Sequence, residues 1–380
     1  MNIQKIELGL IANDTDDLLS VLLALESHRL ADYLSLALFP TISFVAEESH
    51  NYFVSRNLRK PATPLFDRYK TAIKKSRAII KLFNDTEGGS GGLIKSIDLF
   101  QEKSSLWMNA GKSGLLGSVS KSLQPDIGVY FLDENPIYMT PLGFSAMGKT
   151  KNEIELLSEK DFKDIPDQSK AFGEEIGKYF GAILSLLSLY RIPSHYEPSP
   201  TVPPELNITH NDFHSGELYK RIANGANLKE ANLAPVLFLI LSQVNIAHLL
   251  LPRLFPLGSN LLLRMQFLTA YHAISSLSEI QNDIDPELAS SFSSKSILTT
   301  IPDVRKIRNV LAHYGLGEGK KYVGSSADAL NEVVKGFCGM SKSELLEASS
   351  IQLREISDWS CSRFPKSKLK DLRALFGDHT

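Results

Sequence analysis

Cysteine is nearly absent: Cys338 and Cys361 are the only two in 380 residues. Two thiols placed so late in the chain build neither a disulfide framework nor a cysteine-based metal centre, and they suit a reducing cytoplasm. A dominant charge is missing too, since 41 Lys and Arg against 43 Asp and Glu leave a formal net charge of −2. That excludes the global basic field of a protein that coats nucleic acid, but not a nuclease that engages RNA through a local patch. The opening residues, Met1-Asn2-Ile3-Gln4-Lys5-Ile6-Glu7, lack the basic-then-apolar order of a signal peptide. No internal repeat of fixed period occurs. One apolar run, Leu233 to Phe255, has the length of a membrane span. Ser242, Gln243, Asn245 and His248 interrupt it and no basic cluster flanks it, so a buried helix is expected and no membrane partner.

What the chain does have is concentrated at Ile307-Arg308-Asn309-Val310-Leu311-Ala312-His313-Tyr314-Gly315. A permanent cation, an amide and a group that titrates near neutrality lie close together. Metal-free phosphodiester cleavage needs a base for a hydroxyl and a cation for the charge developing on phosphorus. At about 100° per residue, Val304, Ile307, Leu311 and Tyr314 form an apolar stripe joined at its edge by Val310. Arg305, Asn309 and His313 form a second stripe on the far side, with Arg308 on the flank. The wheel therefore points His313 at solvent, a groove or a second subunit. The plain alternative is a solvated helix face, because exposed Arg and His on one helix are common.

The surrounding pattern predicts a helical bundle. Pro235 suits the first turn of the apolar run, which Pro252 and Pro256 close. Ser259 or Asn260 caps a second helix, Leu261 to Ile280, with Leu263, Phe267, Tyr271, Ile274 and Leu277 at helical spacing. A polar connection, Asp283 to Thr300, leads to Pro302 at the start of the motif helix. Gly315, Gly317 and Gly319 are expected to end it. Ser325 or Ser326 opens a fourth helix, and the capping box Ser341-Lys342-Ser343-Glu344 a fifth, reaching about Phe364. A last short helix is expected over Ser367 to Phe376.

On these residues the segment Arg308-Asn309-x-x-x-His313 resembles the Arg-x4–6-His signature of the HEPN superfamily, including the polar residue that often follows its arginine. The resemblance covers roughly residues 230–380. It implies a C-terminal HEPN-like helical bundle; with the patterning of the first half, an α-rich region carrying a small β-hairpin, the chain is expected to be mainly α. It also implies a metal-independent endoribonuclease of the toxin–antitoxin or anti-phage kind, needing no cofactor. His313 would take the proton of a ribose 2′-hydroxyl, Arg308 would stabilise the phosphorane, and Asn309 would orient the imidazole or bind substrate. Arg305, Lys306, Tyr314 and Lys320 are the expected RNA contacts, with Lys321 in the same basic patch. One histidine carries one proton at a time, so a homodimer with a composite cleft is implied, with an antitoxin or activator protein as a further partner. Some family toxins carry a modified tyrosine two residues past the histidine; Gly315 stands there, so that regulation is not carried over. Other members have lost the chemistry, and a non-catalytic module binding RNA, nucleotide or protein is the alternative.

Residues 1–192 match no family pattern and are expected to form an α-rich domain of sensory, regulatory or dimerising role. Pro193, Pro198, Pro200, Pro203 and Pro204 mark a linker, 193–206, before a domain 207–380. Asp14 or Thr15 is expected to cap a helix from Asp16 to Phe39, with Asp16-Asp17 as first-turn charges. A basic helix follows over 64–84, then the glycine-rich loop Glu87 to Gly92. A hairpin joins Ile127–Leu132 to Ile137–Thr140, and a long helix runs from Ser169 to Tyr190. Ala110-Gly111-Lys112-Ser113 has Leu106 where a phosphate loop needs glycine, so it is set aside. His210 and His214, separated by Asn211-Asp212-Phe213, have zinc-compatible spacing but lack a Glu partner and read as a polar loop or helix start. His248, His272, Gln243 and Asn245 read as core or interface residues that could also line the cleft.

Overall fold

A computed structural model describes residues 2–26, 31–81, 127–139, 165–193, 206–229, 231–280, 300–324 and 328–363. Three helices begin the chain: α1 (Ile3–Glu26), α2 (Ala31–Ser55) and α3 (Leu65–Ile80). Strands β1 (Ile127–Leu132) and β2 (Asn135–Met139) and the long helix α4 (Ile165–Leu189) follow. Beyond the proline-rich stretch come β3 (Ile208–Phe213), α5 (Ser215–Gly225) and α6 (Ala234–Leu254). Helices α7 (Asn260–Glu279), α8 (Val304–Ala312), α9 (Ala329–Cys338) and α10 (Lys342–Arg363) complete the described chain. The fold is mainly α with one small antiparallel sheet, as the patterning predicts.

The sheet has the order β2-β1-β3. Asp133 and Glu134 form the hairpin turn with φ of 48° and 67°, the left-handed pair whose twist matches that of the strands it joins. The third strand is the histidine-bearing segment expected to be a loop or helix start. It pairs along the whole of β1, with His210 opposite Tyr130 and Asn211 opposite Val129. So the expected division at 193–206 does not separate two cores. The sheet takes strands from both sides of it, and one buried cluster runs from Leu8 to Ile356.

Helix α6 is the one described helix long and apolar enough to span a bilayer, yet 89% of its apolar window is buried inside the fold. It is a core helix of this fold. Between Ile246 and Leu250 it widens into a π turn, where backbone carbonyls lose their usual partners. Gln266 of α7 answers this by donating through Nε2 to the Ala247 carbonyl at 2.9 Å. Asn245 donates to the Pro136 carbonyl of β2 at 2.8 Å and accepts from the Ser357 hydroxyl at 2.7 Å, tying α6 to the sheet and to α10.

Helix α7 packs against α1, α3, α6, α8 and α10 and is the centre of the assembly. Its predicted cap is present, with the Ser259 hydroxyl accepting the Leu262 N–H at 3.1 Å. The predicted capping box also forms: Glu344 accepts the Ser341 N–H at 2.6 Å, and the Ser341 hydroxyl accepts the Glu344 N–H at 3.2 Å.

The start of the chain departs from expectation. Asp14, Thr15 and Asp16 lie inside α1, and all three are buried. They are not helix caps; Asp14 instead meets the guanidinium of Arg264 from α7, at 3.0 Å. The residues 82–92, 110–113, 194–205, 283–299 and 367–376, where a glycine-rich loop, a phosphate-loop remnant, most of the linker, a polar connection and a last helix are expected, lie outside the described residues. Helix α9, expected to open at Ser325 or Ser326, is capped instead by Asp328, which accepts the Asn331 N–H at 3.1 Å.

Gly336 tests how tightly α9 is seated. A Cβ there would stand 2.2 Å from Cγ of Tyr322, at the rigid base of that ring, which itself packs edge-on against Phe337 at 5.0 Å. Gly336→Ala gains helix propensity of about 1 kcal/mol but must displace the ring. We expect a net loss of about 1–2 kcal/mol in chemical denaturation, since overpacking costs more than propensity returns.

Candidate functional site

The predicted motif helix is present as α8, with Ile307, Val310 and Leu311 buried against α7 and α9. It stops one residue earlier than the wheel requires. Ala312 is its last residue, and His313 is extended, with φ −139° and ψ 156°. The cause is Arg264 of α7, a fully buried guanidinium. Its Nη1 donates to the carbonyls of Val310, Leu311 and His313 at 3.0, 2.7 and 3.3 Å. A cation at a helix C-terminus satisfies its free carbonyls and opposes its dipole. On its other side Arg264 Nε lies 3.0 Å from Asp14 Oδ2, and its Cζ stands 4.9 Å from the Tyr314 ring centroid. Burial pushes the Asp14 carboxyl up to about 7, against the pull of Arg264.

The extended residue splits the motif's last two side chains. Tyr314 turns into the core beside Asp14, 1% exposed, and is not the RNA contact expected of it. His313 turns outward with its side chain 52% exposed. The outward placement agrees with the wheel, although a bend and not helical phase produces it. Gly315 and Gly319 are not left-handed; Gly317 is, with φ +52°. The turn is held from α1, where buried Glu7 accepts the Leu316 N–H at 2.9 Å. Glu7 also takes Arg56 at 2.9 and 3.1 Å and the Tyr52 hydroxyl at 2.9 Å.

The imidazole meets a residue that the patterning did not single out. His313 Nδ1 is 2.7 Å from Oε2 of Glu48, a buried residue of α2. Arg77 of α3 pairs with the other oxygen of Glu48, and its Nη1 lies 3.4 Å from Glu47 Oε2. A signal was available: Glu47-Glu48 stand between the apolar stretches Phe44-Val45-Ala46 and Tyr52-Phe53, all of them buried. Two acids inside an apolar run imply partners from elsewhere.

Arg308 is half-buried on the flank of α8, its Cζ 5.6 Å from the Tyr271 ring centroid and its Nε enclosed without a hydrogen-bond partner. Asn309 and Arg305 are exposed. The expected basic patch is only partly free. Lys306 pairs with Asp303 at 3.5 Å and Glu318 at 3.3 Å, Lys320 lies 3.8 Å from Glu7, and Lys321 sits over the Tyr322 ring at 4.8 Å. Among the described residues, Arg305 and Arg308 meet no carboxylate.

The other described histidines make their contacts elsewhere. His210 pairs with Asp212 at 3.0 Å on β3, and His214 precedes α5. Burial lowers the proton affinity of His248 on the π turn. Among the described residues, no group of three His, Cys, Asp or Glu side chains is placed to hold a metal. The arrangement offers an exposed imidazole anchored at one nitrogen, a neighbouring guanidinium and an amide. Compared with protein-family models, curated proteins and solved structures, the chain has no significant match, so its reading rests on its own residues.

Proposed function

We propose that this chain is a metal-independent endoribonuclease, as its resemblance to the HEPN superfamily implies. The observation that carries the reading is His313. It stands out from the end of a core-packed helix, with one ring nitrogen engaged and the ring open to solvent. A histidine kept only for packing would be enclosed, as His272 is. In the reaction His313 Nε2 removes the proton of a ribose 2′-hydroxyl. The oxygen attacks the adjacent phosphorus, and the P–O5′ bond breaks. One fragment ends in a 2′,3′-cyclic phosphate and the other in a 5′-hydroxyl. Arg308 takes the charge on the non-bridging oxygens, and Asn309 binds phosphate or the 2′-hydroxyl.

The departing 5′-oxygen needs a proton while His313 is taking one from the 2′-hydroxyl, on the opposite side of the phosphorus, so a second group must act as the acid. A second copy of the chain would supply it, in a dimer whose two motifs share a cleft. Toxic or anti-phage action in the cytoplasm, restrained or triggered by a protein partner, follows from the same resemblance. Cys338, a buried free thiol, is compatible with that compartment. The second reading, a binding module without chemistry, is favoured by one observation: Lys306 and Lys320 are already paired with acids of the chain.

The test is cleavage of total RNA and tRNA by the full chain in EDTA. We expect cutting that survives chelation and leaves cyclic-phosphate ends. A folded protein that cuts neither RNA, or that stops when metal is removed, would overturn the reading.

A further inference from the structure

We propose that Glu48, clamped by Arg77, is the positioning residue of His313, so that the first three helices supply part of the site. The effect on rate rests on the nuclease reading above; the effect on the imidazole does not.

Glu48 is 3% exposed in an apolar helix, and a carboxylate in such a place costs several kcal/mol unless it is paired. Arg77 supplies the counter-charge beside one of its oxygens. Were Glu48 only a structural partner of Arg77, its second oxygen would face another enclosed donor. It faces instead an imidazole that is more than half exposed and 265 positions away in sequence. A carboxylate can only accept, so Nδ1 carries the hydrogen and Nε2 is left with the free lone pair. That is the tautomer a base acting at Nε2 requires. Arg77 engages Glu48 through Nη2, on the oxygen that His313 does not use, and this pair orients the carboxylate; Glu47 meets only the other terminal nitrogen of Arg77, at 3.4 Å. The extended backbone at His313, imposed by Arg264 and Glu7, brings the ring to this carboxylate. A helical His313 would have followed the wheel and left it.

The experiment uses the full chain with 15N-labelled histidine. Long-range 1H–15N spectra are recorded at a pH where imidazoles are neutral, with the His313 signal assigned by its loss in His313→Ala. We expect the Nδ1–H tautomer in the wild type. In Glu48→Gln the amide can donate to Nδ1, so the Nε2–H tautomer appears. On RNA, kcat falls by about 10²–10⁴-fold in that variant, while KM changes by less than about threefold, the pattern of a base held in the wrong tautomer. Glu47→Gln, which touches Arg77 but not His313, should match the wild type in both readouts. Should Glu48→Gln not fold, the triple variant Glu47→Gln, Glu48→Gln, Arg77→Gln removes all three buried charges together and carries the same comparison.

An unchanged tautomer in Glu48→Gln would overturn the proposal, as would an equal loss of activity in Glu47→Gln. If the wild type cuts no RNA, the nuclease reading falls while the tautomer still decides the positioning. A shift in Glu48→Gln sustains it, and no shift ends it.

Discussion

Replacing His313 by alanine is expected to lower the rate of RNA cleavage by about 10²–10⁴-fold, the range that one general base contributes. Arg308→Ala should cost about 10²–10³-fold through lost stabilisation of the phosphorane, mostly in kcat. Neither change should unfold the protein. His313 is half out in solvent, and its removal leaves Glu48 with Arg77, so the stability loss is that of one hydrogen bond, about 0.5–1.5 kcal/mol. Arg308 loses a ring contact with Tyr271 and no ion pair among the described residues. Thermal melts recorded beside the cleavage assay separate the two kinds of effect. Activity that falls only in step with folding would show that these side chains hold the structure and do no chemistry.

The second large effect is on stability. Arg264→Met should cost about 3–5 kcal/mol, the usual penalty for removing one member of a buried ion pair. Three carbonyls at the end of α8 lose their donor and Asp14 loses its cation. The penalty should depend on pH, and its sign follows from Asp14. Burial raises its folded pKa to about 7 from an ordinary value near 3.8. A group with a raised folded pKa contributes its stability fully below the unfolded value and loses it as pH rises through the folded one. At pH 5 the folded carboxyl is protonated with or without Arg264, so the charge component of the penalty is small. At pH 8 the wild-type Asp14 is ionised beside Arg264, while in Arg264→Met it must stay neutral or stand buried and unpaired. Urea unfolding should therefore show a larger loss at pH 8 than at pH 5. An equal loss at both values would mean that Asp14 does not titrate with the fold. Because Arg264 also sets the bend that turns His313 outward, cleavage should fall in this variant even where it remains folded.

Local sequence was a good guide wherever the deciding contacts lie within a few residues. The cap at Ser259, the capping box at Ser341 and Glu344, and the hairpin turn at Asp133-Glu134 all form within one turn of chain. It failed where polar groups are satisfied from a distance. Asp14 looked like a cap because short acidic residues usually are, yet its partner is Arg264, 250 positions on. The His210 segment reads as polar and irregular by itself. It becomes a strand because β1 offers it a full edge of hydrogen-bonding groups.

By itself the sequence determined the mainly α class, the helices around the motif and the outward direction of Arg305 and Asn309 on the motif helix, because apolar spacing alone decides which face of a helix is buried. Only the tertiary structure decided that the motif helix ends at Ala312, that Tyr314 turns inward, and that Glu48 and Arg77 stand behind His313. Those outcomes depend on where buried charges from α1, α2, α3 and α7 find their counter-charges, and the spacing of residues within one segment carries no record of that pairing.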